Sequence, residues 1–346
     1  MNDVLVRPMS VRDVPAVVAL LDRTLGPSPG GVDRRALFEW KHLGNPFGRS
    51  LALVAELDGA MVGLRSFMRW RFVAPDGELV SAVRAVDTAT SPAVQRRGIF
   101  TRLTREALEA CAREGVAFVF NTPNARSLPG YLKLGWREVA RWPMRIRVRR
   151  PLRLVATALR RDLRSGPSLD PPAGSPMVPA AEALARDDVA RVVDASPRPV
   201  GRLYTPRSML YLKWRYTGGP LAYRALVAGE PAGALAMVRI RGRGRAREAV
   251  LVEVLWAPGS RALVPGLLRR VPAAAGADHA IAHAGPGWDV DGDLAGARYR
   301  RVRRAAMAFT ARLVAPAASS AGGGGPGWSP LDRGAWSLTL GDLEVF

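Results

Sequence analysis

Val83-Arg84-Ala85-Val86-Asp87-Thr88-Ala89-Thr90-Ser91-Pro92-Ala93-Val94-Gln95-Arg96-Arg97-Gly98-Ile99-Phe100-Thr101-Arg102-Leu103-Thr104-Arg105-Glu106-Ala107-Leu108 is the stretch on which the fold turns. It begins as a β-rich run, with Val83 and Val86, and breaks at Ser91-Pro92. Beyond the break, Ile99, Leu103, Ala107, Leu108 and Cys111 recur at helical spacing and predict one apolar helix face. Between strand and helix lies Gln95-Arg96-Arg97-Gly98-Ile99-Phe100. A glycine there lets backbone come close to a ligand, and the new helix points unpaired N–H groups at the loop. Those donors and the helix dipole favour an anion, and Arg96 and Arg97 strengthen the preference. The local reading is a pyrophosphate cradle.

Upstream, Val4 to Pro8 predicts a short strand, and Ser10 caps a helix with Val14, Val17, Val18 and Leu21 on its core face. Asp13 stands at the capping-box position, and Pro15 falls in the first turn, where proline is tolerated. Leu37-Phe38-Glu39-Trp40-Lys41 predicts a second helix. Strands follow at 50–57 and from Ala60 to about Val73, joined by a turn at Asp58-Gly59, and Asp76-Gly77 turns the chain into the central strand. Downstream, Val116 to Asn121 reads as a buried strand. It leads into Thr122-Pro123-Asn124-Ala125-Arg126-Ser127-Leu128-Pro129-Gly130-Tyr131-Leu132-Lys133-Leu134-Gly135-Trp136.

Gln95-Arg96-Arg97-Gly98 resembles motif A of the GNAT superfamily of N-acetyltransferases, with Phe100 where the usual pattern has a second small residue. Asn124, Tyr131, Gly135 and Trp136 resemble motif B of the same superfamily, in the right order and one strand apart. The resemblance implies an α/β (α+β) class: a GNAT fold, with a mixed central sheet flanked by helices. In that fold the central strand splays from its neighbour, and its free backbone groups hold the pantetheine of acetyl-CoA, a co-substrate. By the resemblance, Ala89, Thr90, Gln95, Arg96, Arg97, Gly98, Ile99, Phe100, Thr101 and Asn124 bind it. The acceptor is then the amine of a small molecule or glycan. Tyr131 matches the position that protonates the departing thiolate. An ordinary thiol and phenol differ by ~1.5 pKa units, so that proton moves uphill by only about 2 kcal/mol. Asp87 is the nearest acidic residue on the central strand and the candidate catalytic base, with Glu56 or a bound water as competitors.

The second half echoes the first. Tyr211-Leu212-Lys213-Trp214-Arg215 is similar to 37–41, and Ala225-Leu226-Val227-Ala228 with Gly233 is similar to Ala52-Leu53-Val54-Ala55 with Gly63. Strand 249–256 is followed by Ala257-Pro258-Gly259-Ser260-Arg261, which lacks a phosphate cradle. The expected organisation has an acetyl-CoA-binding GNAT domain at 1–150, then a basic helix and Pro/Gly-rich linker at 151–194. A degenerate GNAT-like domain at 195–314, a flexible tether at 315–330 and a C-terminal strand at 331–346 complete it. Residues 145–164 carry many arginines and a stripe of Leu152, Val155, Ala156, Leu159 and Leu163. They predict a basic amphipathic helix, packed on its own domain or lying on an anionic membrane.

The net charge of +21 favours acidic ligands such as coenzyme A, nucleic acid or anionic lipid. Lysine stands only at 41, 133 and 213, so arginine supplies nearly all of the 51 basic residues. A lone cysteine, Cys111, excludes an internal disulfide and a cysteine metal cluster. His279 and His283 belong to no metalloprotease-type pattern and are read as partnered strand residues, so no metal is expected. No run approaches the ~20 apolar residues that span a bilayer, and a cytoplasmic protein is expected. Two other classes stay open. Peptidoglycan-bridge transferases also pair two GNAT-like domains but use aminoacyl-tRNA, and the intact phosphate loop here favours coenzyme A over that choice. The other is a non-catalytic acyl-CoA-binding protein.

Overall fold

The protein is described by a computed structural model over residues 4–154, 165–283, 285–288, 290–314 and 327–343. In chain order the first elements are β1 (Leu5–Pro8), α1 (Val14–Leu25), α2 (Arg34–His42), β2 (Leu51–Leu57), β3 (Ala60–Val73) and β4 (Leu79–Thr90). Then come α3 (Ile99–Arg113), β5 (Phe118–Asn121), α4 (Leu128–Lys133), β6 (Arg137–Val148), β7 (Ser165–Ser168) and β8 (Val178–Pro179). They continue with α5 (Ala180–Ala183), α6 (Asp187–Ala195), α7 (Met209–Thr217), β9 (Arg224–Ala228), β10 (Ala234–Arg243) and β11 (Ala246–Trp256). The last are α8 (Val264–Ala274), β12 (His279–Ala282), α9 (Asp291–Gly296), β13 (Arg300–Leu313) and α10 (Leu340–Leu343). Two compact units result, one within 1–28, 33–140 and 308–335, the other within 29–32, 141–307 and 336–346. Among the described residues no helix is long and apolar enough to cross a membrane.

In the first unit β1 to β4 run antiparallel to their neighbours, and β5 joins β4 in parallel. Residues 310–313 of β13 then flank β5 antiparallel. Both sheet faces are covered. Leu103, Ala107 and Cys111 of α3 share one core with Leu53, Phe67 and Val83, while Val17 and Leu20 of α1 share the other with Val54 and Leu64. Ser10 and Asp13 form the capping box before α1, and Asp13 also takes both Arg7 Nη atoms at 2.8 Å. At Gly63 a Cβ would lie 3.0 Å from Ala55, Ile99 and Leu103, so the glycine is what lets α3 seat on β3.

In the second unit β9, β10 and β11 form an antiparallel meander, and β12 adds in parallel to β11. Residues 145–148 of β6 flank β12. The succession α7-β9-β10-β11-α8-β12-α9-β13 thus repeats α2-β2-β3-β4-α3-β5-α4-β6. His279 Nε2 meets Glu248 Oε2 at 2.9 Å, and His283 Nδ1 donates to the Pro143 carbonyl at 3.0 Å.

Three local expectations change. Arg145 to Val148 end β6 and are not helical, and Val155, Ala156, Leu159 and Leu163 lie outside the described residues, as do 315–326. Ser165–Ser168, linker-like in composition, pairs with β10 as β7, because Gly166 lets two backbones approach: its Cβ would sit 3.2 Å from the Gly242 carbonyl oxygen. Trp336 to Asp342 is not a strand. It bridges Leu203 through Trp336 and then turns into α10, because Asp342 Oδ2 accepts from the Thr339 N–H at 2.8 Å in a cap that alternation cannot reveal.

Candidate active site

Strand β4 outruns its partner. It pairs with β5 only through Ala82–Arg84 against Phe118–Phe120, then continues to Thr90 beside β3 alone. From Ala85 onward its other edge faces no described strand, and backbone groups left there seek a ligand or water. Opposite Arg65 the ladder slips. Leu64 pairs with Ala89 but Ser66 with Val86, so Asp87 and Thr88 together face one residue. Asp87 adopts a left-handed φ of 46° to make this bulge. The extra residue reverses the alternation. Ala85 lies in the α3-side core, whereas Ala89, four residues on, lies in the α1-side core.

A cleft of about 490 Å³ runs from Thr88 and Thr90 to Gln95, Arg96 and Gly98, and on to Ile99, Phe100 and Thr101 at the start of α3. Thr24, at the end of α1, also lines it. Arg96 and Gly98 hold φ of 66° and 77°, which fold the loop back on itself before the helix. A Cβ on Gly98 would meet nothing within 4 Å, so the glycine serves its conformation and the cleft lies beside it. No side chain caps α3, and its first backbone bond is from the Arg102 N–H to the Gly98 carbonyl at 2.9 Å. The N–H groups of Ile99, Phe100 and Thr101 precede that bond and are left for an anion.

Phe100 turns its ring away from the loop. It packs edge-on to Tyr131 at 6.1 Å and lies 3.6 Å from the Cβ position of Gly130. Tyr131 is 6% exposed, with Trp136 at 5.2 Å on its other side. Its hydroxyl accepts from Arg65 Nη1 at 3.0 Å, and the same nitrogen donates to Thr88 Oγ1 at 2.6 Å. The Arg65 guanidinium lies 4.6 Å from the Phe67 ring, 5.5 Å from Phe100 and 5.1 Å from Tyr131. It is fully buried.

The Asp87 carboxylate goes to a different group. It is ion-paired with the Lys41 ammonium and accepts from His42 Nε2 at 2.7 Å, while Ser50 Oγ lies 2.8 Å from His42 Nδ1. Burial pushes the His42 imidazolium down, so the ring is neutral, donating to Asp87 and accepting from Ser50. Burial alone would raise the Asp87 carboxyl, but Lys41 and His42 outweigh it and hold it well below the usual carboxylate range.

Of the residues expected to contact a cofactor, Thr90, Gln95, Arg96, Gly98, Ile99, Phe100 and Thr101 line the cleft together. Arg97 is exposed on the same loop, and Ala89 buries its methyl in the α1-side core, leaving only backbone to offer. Asn124 uses Oδ1 locally, accepting from the Arg126 and Ser127 N–H groups at 3.0 Å. Glu56 is held by Arg7 near the C-terminal end of β2, two strands from β4. Sequence reasoning missed Arg65 and His42 as members of the site and did not single out Lys41 on its helix. One signal was present: Lys41 is among three lysines in a chain that otherwise chooses arginine.

Residues 5–139 match the acetyltransferase (GNAT) domain family. Among solved structures, the chain is similar to a GCN5-related N-acetyltransferase from Kribbella flavida, at 17% identity and TM-score 0.57, over 90% of this chain and 71% of that one. A GCN5-related N-acetyltransferase from Anabaena variabilis matches at 11% identity and TM-score 0.57, over 90% and 73%. Saccharomyces cerevisiae N-myristoyltransferase with bound myristoyl-CoA matches at 9% identity and TM-score 0.57, over 90% and 79%. At these identities the likeness is one of fold. No curated protein matches the sequence.

Proposed function

The chain carries a GNAT acetyltransferase domain, and from that premise we propose that it transfers an acetyl group from acetyl-CoA to the amine of a small molecule or glycan. The observation that carries this reading is the junction of β4 and α3. A splayed strand edge leads there into a cleft that ends on free helix N–H groups and two loop arginines. An extended thioester with a pyrophosphate suits that sequence of groups. Ile99, Phe100 and Thr101 would hold the phosphates through backbone N–H, with Gln95, Arg96, Arg97 and Gly98 around them. The backbone of Ala89 and Thr90 would take the pantetheine.

When bound, acetyl-CoA supplies an acyl carbon activated by a thiol leaving group. Tyr131 packs against Phe100, which lines the cleft, and in this reading it would return a proton to that sulfur. A carboxylate held as ionised as Asp87 is a weak base, so we give it a part in deprotonating the ammonium only through a water relay. Its pairing with Lys41 and His42 also fixes the bulge that shapes the cleft. The family transfers acyl groups to amines, and this chain's net charge of +21 adds a field that draws in polyanionic coenzyme A.

The test is thermal-shift screening with acetyl-CoA and longer acyl-CoA esters, followed by an amine panel read as release of free thiol. Cys111 will stay silent in that assay, because burial pushes its thiol up to about 12. Stabilisation by acyl-CoA with amine-dependent thiol release is expected. A chain that no acyl-CoA stabilises is not a transferase of this kind.

A further inference from the structure

We propose that Arg65 is the positioning residue through which Tyr131 gives its proton to the leaving sulfur, an inference that rests on the acyl-transfer reading above. A phenol has one proton and two lone pairs. Arg65 Nη1 donates to the Tyr131 oxygen at 3.0 Å, so one lone pair is taken and the proton must point elsewhere. The contact therefore aims the O–H as well as holding the ring.

Arg65 also brings a buried positive charge to the same oxygen. Arg65 is 0% exposed, and among the described residues no carboxylate lies within ion-pair distance of it. Its Nε and Nη2 have no hydrogen-bond partner. A buried cation in that state is costly. The chain shows elsewhere what an arginine with a purely structural role looks like: Arg207, equally buried, has Asp342 at 2.6 Å and Glu253 at 3.0 Å. The Arg65 charge is instead clamped by three rings and Thr88, next to the one oxygen that becomes negative during the reaction. A fixed positive charge at the place where negative charge develops stabilises the transition state. The β4 bulge supplies the geometry, since the slip that sets Asp87 and Thr88 against one residue sets them against Arg65.

The amine nitrogen forms a bond to the acyl carbon, the C–S bond breaks, and its electron pair goes to sulfur. Tyr131 passes its proton to that sulfur, and the oxygen left charged faces Arg65. The proton lost by the nitrogen goes to water, and solvent returns one to the phenol. Amine and thioester become amide and thiol.

A double-mutant cycle in the full chain tests the assignment, with thiol release giving kcat and KM, and thermal unfolding recorded for every variant. Arg65→Gln is expected to lower kcat about as much as Tyr131→Phe, with KM for acetyl-CoA within about twofold of wild type. Arg65→Lys, which keeps the cation, should restore part of the loss. Adding Arg65→Gln to Tyr131→Phe should lower kcat no further. Equal factors in the two backgrounds, or a change in KM alone, would overturn the proposal while leaving the transferase standing. Should Arg65→Gln fail to fold, Arg65→Lys with and without Tyr131→Phe decides the question by the same comparison. A wild-type chain that releases no thiol with any amine overturns the transferase reading, and this proposal with it.

Discussion

Tyr131 is held by packing and by charge at once, and the two can be separated by removing a single oxygen. Tyr131→Phe keeps the ring between Phe100 and Trp136. A thiolate leaves tolerably well without an acid, so turnover should fall by about ten-fold or more but not to zero, with cofactor affinity little changed. Steady-state kinetics beside calorimetric binding checks this, and unchanged turnover with chemistry rate-limiting would reduce the residue to packing. Glu248 makes a different, pH-linked prediction. Burial would raise its carboxyl, but His279, Arg241 and Arg243 bring it down to about 2 from an ordinary 4.5. A depressed folded value means that the unfolded chain binds more protons, so the stabilisation is complete above about 4.5 and is lost as pH falls toward about 2. Glu248→Gln should therefore be less stable than wild type near neutrality, and the gap should close between those pH values in urea unfolding. A gap that stays constant would show that the ion pairs contribute nothing.

The strand-to-helix junction is where element geometry becomes function. Gly98→Trp should leave unfolding cooperative, because a Cβ there enters open space, yet it should abolish acyl-CoA binding by filling the cleft and straining a φ of 77°. Isothermal titration reads this directly, and undiminished affinity would remove the loop from the cofactor site. Gly63→Ala acts on the same helix from below. Its Cβ meets Ala55, Ile99 and Leu103 at 3.0 Å, so α3 must lift from β3 at a cost of about 1–3 kcal/mol. Because the free N–H groups ride on α3, the midpoint of thermal unfolding and acyl-CoA affinity should fall together. Lower stability with intact affinity would mean that the helix start does not hold the phosphates.

At the scale of the molecule, the described residues of the two repeated units offer a ligand different groups. In the second unit β11 also carries a bulge, with Val252 extra between pairs Met237–Glu253 and Val238–Leu251, and it also outruns β12. There, however, the helix that follows begins Val264-Pro265, so proline removes a donor from its first turn. The gap is occupied by the chain itself. Gly285 donates to the Leu338 carbonyl at 2.7 Å, Thr339 Oγ1 donates to Glu253 Oε1 at 3.0 Å, and a Cβ on Gly341 would lie 3.2 Å from the Val252 carbonyl oxygen. Calorimetric titration should consequently give one acyl-CoA per chain. Two equivalent sites would mean that residues 336–343 give way to a ligand.

Local chemistry was legible from residues alone. The helical spacing of Ile99 to Cys111, the Ser10–Asp13 cap, the Asp58-Gly59 turn and the Gln95-x-x-Gly98 loop each depend on neighbours a few positions apart, and each determined its element. The meander, the central strand and the GNAT domain followed from their order. Tertiary structure alone decided what depends on register. One extra residue at Asp87 reverses the alternation of β4, turning that carboxylate to Lys41 and His42 and setting Thr88 beside Arg65. Arg65 reaches Tyr131 across 66 positions of chain, and Thr339 reaches Glu253 across 86. Periodicity carries no trace of such contacts, because it records which way a residue faces within its own element and not which residue, from elsewhere in the chain, stands opposite it.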